Sequence, residues 1–189
     1  MLDLSDIFSI YNLVEAFWLV IPAYGANGMV PLICSFIKKK HRLDFGRNFF
    51  DGRPLLGTGK TIEGLLIGSI VGALIAVFMQ FAFPYLPWSL SDRPLAIAPV
   101  GALTGFLLGL GSMVGDAVGS FFKRRLNLER GRPAPLLDQL DFLFGALAFA
   151  MLAVAMKLEW VILLAVITPL IHWFACIIGY LLKIKKEPW

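Results

Sequence analysis

The sequence predicts an all-α, polytopic membrane protein, and three observations lead there. Of 189 residues, 58% are hydrophobic and 16% charged, against about 45–50% and about 25% in an ordinary soluble domain. The mean hydropathy is +0.77. The apolar residues gather in five long runs, and the basic residues gather between them on alternate loops. Such a composition excludes disorder, fibrous repeats and a water-soluble core, because the chain would expose more apolar surface than water tolerates.

The runs cover residues 12–37, 62–83, 95–121, 139–157 and 160–182. Each meets or exceeds the roughly 17–25 residues a helix needs to cross a bilayer. One domain over 1–189 is expected. Pro22 is placed to bend the first span, and Pro99 falls in the first turn of the third, where proline is tolerated. Tyr85, Trp88, Trp160 and Trp189 fall at expected interfaces. The acidic start Met1–Asp6 reads as no cleavable signal peptide. Cys34 and Cys176 sit in apolar runs, at no zinc or disulfide spacing.

Charge sets the orientation. Loop one (38–61) holds seven cations, loop three (122–138) five, and the tail adds Lys183, Lys185 and Lys186. Only Arg93 and Lys157 of the seventeen fall on the other side. The positive-inside rule puts both loops and the C-terminus in the cytoplasm and the N-terminus outside. Glycines at four-residue spacing (Gly64, Gly68, Gly72; Gly101, Gly105, Gly109; Gly111, Gly115, Gly119) predict close approach of spans two and three.

Carboxylates at a membrane edge are costly unless paired or metal-bound. Asp116 ends span three, and Asp138 and Asp141 share a face at the start of span four. Hard oxygen ligands there suit Mg²⁺ with a phosphate substrate. Asp138 equally suits a helix N-terminus, and Asp141 could pair with an arginine of loop three. In loop one, Gly57-Thr58-Gly59-Lys60-Thr61 is not a P-loop, because Pro54 stands where a glycine is needed. Its glycine amides, helix N-terminus and Lys60 nonetheless favour phosphate, while a solvated turn stays open. Lys123 and Arg124 fit either lipid headgroups or a polyphosphate. His172 is expected as a buried imidazole bonded between helices. Asn27 and Glu63 either line a polar cavity or satisfy a neighbouring helix.

The run Gly115-Asp116-Ala117-Val118-Gly119-Ser120-Phe121-Phe122-Lys123-Arg124, with Asp138-Gln139-Leu140-Asp141, resembles the signature of membrane CTP-transferases that make CDP-activated lipids. The likeness is to the archaeal branch, the CDP-archaeol synthases, whose first cytoplasmic loop is similar at Asn48, Asp51, Gly52 and Gly57–Thr61. Gln139 replaces the signature arginine, and Pro135-Leu136-Leu137 stands where the diacylglycerol branch has His-Gly-Gly.

The resemblance implies a cell-membrane, multi-pass enzyme with a cytoplasmic active site. There 2,3-bis-O-geranylgeranylglycerol 1-phosphate attacks the α-phosphorus of CTP, giving CDP-archaeol and pyrophosphate. On that reading Asp116, Asp138 and Asp141 hold Mg²⁺. Lys60, the Gly57–Gly59 amides, Thr58, Thr61 and Asn48 grip the triphosphate. Lys123 and Arg124 offset charge on pyrophosphate or lipid phosphate. The partners expected are CTP, the isoprenoid ether lipid phosphate and the bilayer, without nucleic acid, and no oligomeric state follows. The rival readings are a CTP-dependent polyprenol kinase, which releases CDP, and a small transporter; against the latter, the acids gather at one face and not at the midplane.

Overall fold

The computed structural model describes residues 7–86 and 94–181. Trp88, Arg93, Trp189 and the tail lysines Lys183, Lys185 and Lys186 lie outside the described residues. The helices used below follow in order: α1 (Ile10–Ser35), α2 (Ile62–Ala82, extended by a 3₁₀ turn Phe83–Tyr85), α3 (Ala102–Arg125), α4 (Leu137–Ala150) and α5 (Leu158–Leu181). Among the described residues four stretches are long and apolar enough to cross a membrane: Ile10–Ser35, Ile62–Tyr85, Ala102–Arg125 and Leu158–Ile178.

Local chemistry sets the ends. Ser9 caps α1 by accepting from Asn12 N (3.3 Å), and Thr61 caps α2 by accepting from Gly64 N (3.1 Å). Two expectations change here. α3 begins at Ala102, so Pro99 precedes the helix and its carbonyl accepts from Thr104 Oγ1 (3.3 Å). The fourth apolar run forms a helix of 14 residues, Leu137–Ala150, followed by turns. At about 1.5 Å per residue it is shorter than a ~30 Å hydrocarbon core.

α3 is the centre of the bundle, and glycine makes it so. A Cβ on Gly109 would strike the backbone of Gly68 and Ser69, and one on Gly72 would strike Gly105 and Gly109. The expected approach of the second and third spans is therefore real. A second glycine face of α3 was not foreseen: Gly111 and Gly115 meet the α4 backbone at Gly145 and Asp141. The main core gathers around Leu19, Leu108, Leu143, Leu163 and Leu164. Tyr24 OH and Thr168 Oγ1 (2.7 Å) join α1 to α5.

The two ends of the bundle differ. One carries loops one and three. At the other, Glu15, 3% exposed, accepts from Ala96 N (2.7 Å), Lys157 Nζ (2.6 Å) and Trp160 Nε1 (3.1 Å). Trp160 is thus buried against a carboxylate. His172 is partly buried, and its Nδ1 meets Cys176 Sγ of the same helix (3.6 Å).

Candidate active site

The site is built where loop one folds back over the ends of α1, α2 and α3. Loop one is an ordered structure, and Asp44 organises it. Its carboxylate accepts from Gly46 N (2.9 Å), Leu56 N (3.0 Å) and Gly57 N (3.0 Å), closing a hairpin over 47–55. Burial pushes this carboxyl up, but the three amides and the charge of Arg42 outweigh it and hold it below the ordinary carboxylate range. Asp44 is 5% exposed in a loop whose neighbours are mostly open. Sequence reasoning missed it because its partners are backbone amides up to thirteen residues away, which leave no side-chain pattern.

Beyond Gly57, at φ +90°, the chain turns into Thr58–Thr61 and delivers Lys60 to α3. There Lys60 Nζ donates to Asp116 Oδ2. A cavity of about 470 Å³ opens around this pair, lined by Lys40, Thr58, Gly59, Thr61 and Arg130 as well. Its floor is apolar, formed by Val30, Cys34 and Met113. Arg130 donates to Thr58 Oγ1 (3.0 Å), so loop three closes the cavity from above. Arg130 carried no distinguishing sequence signal among the loop cations. Glu63, at the start of α2, satisfies loop one by accepting from His41 N (2.9 Å) and meeting His41 Nδ1 (2.6 Å).

The remaining candidates, Lys123, Arg124, Asp138 and Asp141, do not line that cavity. Lys123 Nζ donates to Asp138 Oδ1 (2.5 Å), and Asp138 Oδ2 accepts from Ala134 N (2.9 Å), so Asp138 also ties down the entry to α4. Asp141 is held against Gly119, in space a Cβ there would need. It feels the charges of Asp116, Lys60 and Asp138. Its Oδ1 accepts from Phe142 N (2.6 Å), while its Oδ2 is buried without a hydrogen-bond partner, so the alternative pairing with a loop-three arginine does not form. Arg124 donates to the Leu128 carbonyl and lies against Gly57. Asn48 sits on the exposed hairpin, bridged to Pro54, and does not line the cavity. The Gly57 amide is already spent on Asp44, so of the glycine run it is Gly59 that faces the cavity.

Among the described residues no three His, Cys, Asp or Glu side chains close on one point as a ready-made metal cage. The donor set nonetheless fits Mg²⁺, which takes one or two carboxylates plus substrate phosphate. Asp141 offers an orphaned buried oxygen in electrostatic reach of Asp116, and such an atom is costly unless something binds it.

The family model for CarS-like CDP-archaeol synthases matches residues 8–189. The chain belongs to the CDP-archaeol synthase family. CDP-archaeol synthases from Methanopyrus kandleri (43% identical over 180 residues, 94% of each chain) and Pyrococcus furiosus (44% over 179 residues, 95% of this chain and 99% of the relative) align end to end with it. The relative from Methanocaldococcus jannaschii is 40% identical over 177 residues. A solved structure described as an intramembrane enzyme for archaeal membrane lipid biosynthesis superposes with a TM-score of 0.67. It is 39% identical and covers 86% of this chain and 92% of that one. Membership of the CDP-archaeol synthases agrees with what the site offers: cations for phosphate and carboxylates for a cation.

Proposed function

We propose that the chain joins CTP to an isoprenoid ether lipid phosphate, 2,3-bis-O-geranylgeranylglycerol 1-phosphate, to give CDP-archaeol and pyrophosphate. The observation that carries the site reading is the Lys60–Asp116 ion pair inside a cavity that also presents Lys40 and Arg130. A phosphate oxygen of the lipid forms a bond to the α-phosphorus of CTP, and the bond from that phosphorus to the β-bridging oxygen breaks. Pyrophosphate leaves with the electron pair. This in-line displacement needs positioning and charge neutralisation more than covalent help.

Lys60 then acts by exchange: it leaves Asp116 for a phosphate oxygen as the triphosphate enters, and the Thr58–Gly59 turn and Arg130 close over the chain of phosphates. Lys123 and Arg124 offset charge on the departing pyrophosphate or on the lipid phosphate. Asp116, Asp141 and Asp138 would hold Mg²⁺, which supplies further neutralisation of the phosphates. The positive-inside rule favours five crossings including the short α4, with the N-terminus outside and this site facing the cytoplasm.

Purified protein given labelled CTP, Mg²⁺ and either ether-linked or ester-linked lipid phosphate tests the reading. It requires CDP-lipid and pyrophosphate, with the ether lipid preferred. Release of CDP with a phosphorylated lipid would replace it with a kinase.

A further inference from the structure

The hairpin over 47–55 ends in a side chain that water does not explain. Phe50 is 100% exposed at the tip, and a phenyl ring left in water forgoes the gain of burying its apolar surface. The hairpin is nevertheless ordered. Phe49 N donates to Arg53 O (2.8 Å), Gly52 N to Phe49 O (3.0 Å) and Leu55 N to Arg47 O (3.0 Å). It is also fastened to the end of α3. Arg125 pairs with Asp51 (3.1 Å) and donates to Pro54 O (2.6 Å), and Arg53 donates to Arg125 O (2.5 Å).

What continues onto this tip is the outer face of α3. Leu103, Phe106, Leu110, Val114, Val118 and Phe122 recur every three or four residues, and Val118 (48%) and Phe122 (50%) are open on the surface a bilayer would cover. From Phe122 a chain of edge-on rings leads outward: Phe122 to Phe121 (5.6 Å), Phe121 to Phe49 (5.2 Å), Phe49 to Phe50 (5.1 Å). The Arg125 guanidinium lies over both Phe49 (4.9 Å) and Phe121 (4.8 Å), as a cation does at the depth where apolar surface meets headgroups. Arg47 and Arg42 stand exposed on the same loop.

We infer that the hairpin over 47–55 docks on the bilayer itself, with Phe50 inserted at the level of the headgroups and the loop-one arginines facing anionic lipid. The apolar surface of α3 then runs without a break from the hydrocarbon to the rim of the loop that shapes the catalytic cavity. This contact is independent of the chemistry proposed for the cavity.

An environment-sensitive fluorophore on Phe50→Cys, with Cys34 and Cys176 replaced by serine, reads the contact in vesicles of phosphatidylcholine and phosphatidylglycerol. The same fluorophore on Glu129→Cys, in the exposed part of loop three, is the comparison. Emission from position 50 is expected to be blue-shifted, quenched more by a headgroup nitroxide lipid and less by iodide than emission from 129. Water-like emission at 50, or nitroxide quenching no stronger than at 129, overturns the inference. The unsubstituted protein gives a second reading through a phospholipid carrying a photoreactive headgroup. Adducts on the 47–55 peptide support the contact, and their absence there while α2 is labelled overturns it.

Discussion

The carboxylate of Asp141 occupies the space a side chain on Gly119 would need. The glycine face of α3 therefore does more than bring helices together, because it lets a carboxylate on α4 reach the level of Asp116. Gly119→Ala is expected to push Asp141 aside while keeping the bundle. A displacement of about 1 Å at a reacting centre costs about 10²-fold in rate, and kcat should fall by that order with extraction and thermal unfolding near those of the parent. Gly109→Ala makes the contrast, since it wedges α3 from the α2 backbone. Its expected loss is about 1–3 kcal/mol of stability. Unchanged kcat in Gly119→Ala would remove Asp141 from the site.

Lys60 reaches from the loop-one glycine run to an acid on α3, Asp116. Replacing it with methionine keeps most of the stem and removes the charge. Charge-assisted hydrogen bonds contribute about 1.5–3 kcal/mol, so the KM for CTP should rise roughly 10- to 100-fold. The KM for the lipid phosphate should stay near its parent value. Equal KM values for CTP in parent and variant would place the triphosphate elsewhere.

Asp44 predicts a pH dependence of loop one. Its carboxyl lies lower in the folded protein than the ordinary value, about 3.9 in the unfolded chain. Its stabilising contribution is therefore complete above that value and is lost as pH falls through the folded one. Limited proteolysis between residues 38 and 61 should be slow at pH 7 and speed up on acidification toward pH 3. In Asp44→Asn the loop should be cut faster at pH 7 and show less change with acid. Identical pH profiles in the two proteins would contradict the role of the buried charge.

The helical runs and the glycine contacts were legible because apolar stretches and glycine spacing repeat along the chain. Asp116, Lys60 and the Gly57–Thr61 run were legible because charge and glycine are scarce in a membrane-embedded sequence. Asp44 and Glu15 were not, because their partners are amides or side chains far away in sequence, and nothing periodic marks them. The exposed position of Asn48 depends on the hairpin that Asp44 closes. The shortness of α4 escaped for a different reason: residues 151–156 are apolar enough to continue a helix, yet they turn to bring Lys157 to Glu15.

Cys34 offers a report on occupancy of the cavity. Its thiol is buried, and the residue lines the same cavity as Lys60 and Asp116. In a Cys176→Ser background a small maleimide should label Cys34 slowly. CTP with Mg²⁺ should slow the reaction further by filling the opening, and a nucleotide the protein does not bind should have no effect. Labelling unaffected by saturating CTP would mean that the nucleotide does not enter here.

The Glu15 cluster should separate stability from chemistry. Its carboxylate lies at the end of the bundle away from the cavity, where it ties α1 to Ala96 and to the turn before α5. Removing one partner of a buried pair leaves a charge uncompensated, at a cost of about 3–5 kcal/mol. Because Lys157 is half exposed, it can turn to water, so the lower figure applies to Glu15→Gln. Thermal unfolding in detergent should register that loss, while the KM values for CTP and lipid phosphate hold at temperatures where the variant stays folded. A raised KM at those temperatures would instead show that the two ends of the bundle are coupled through α3.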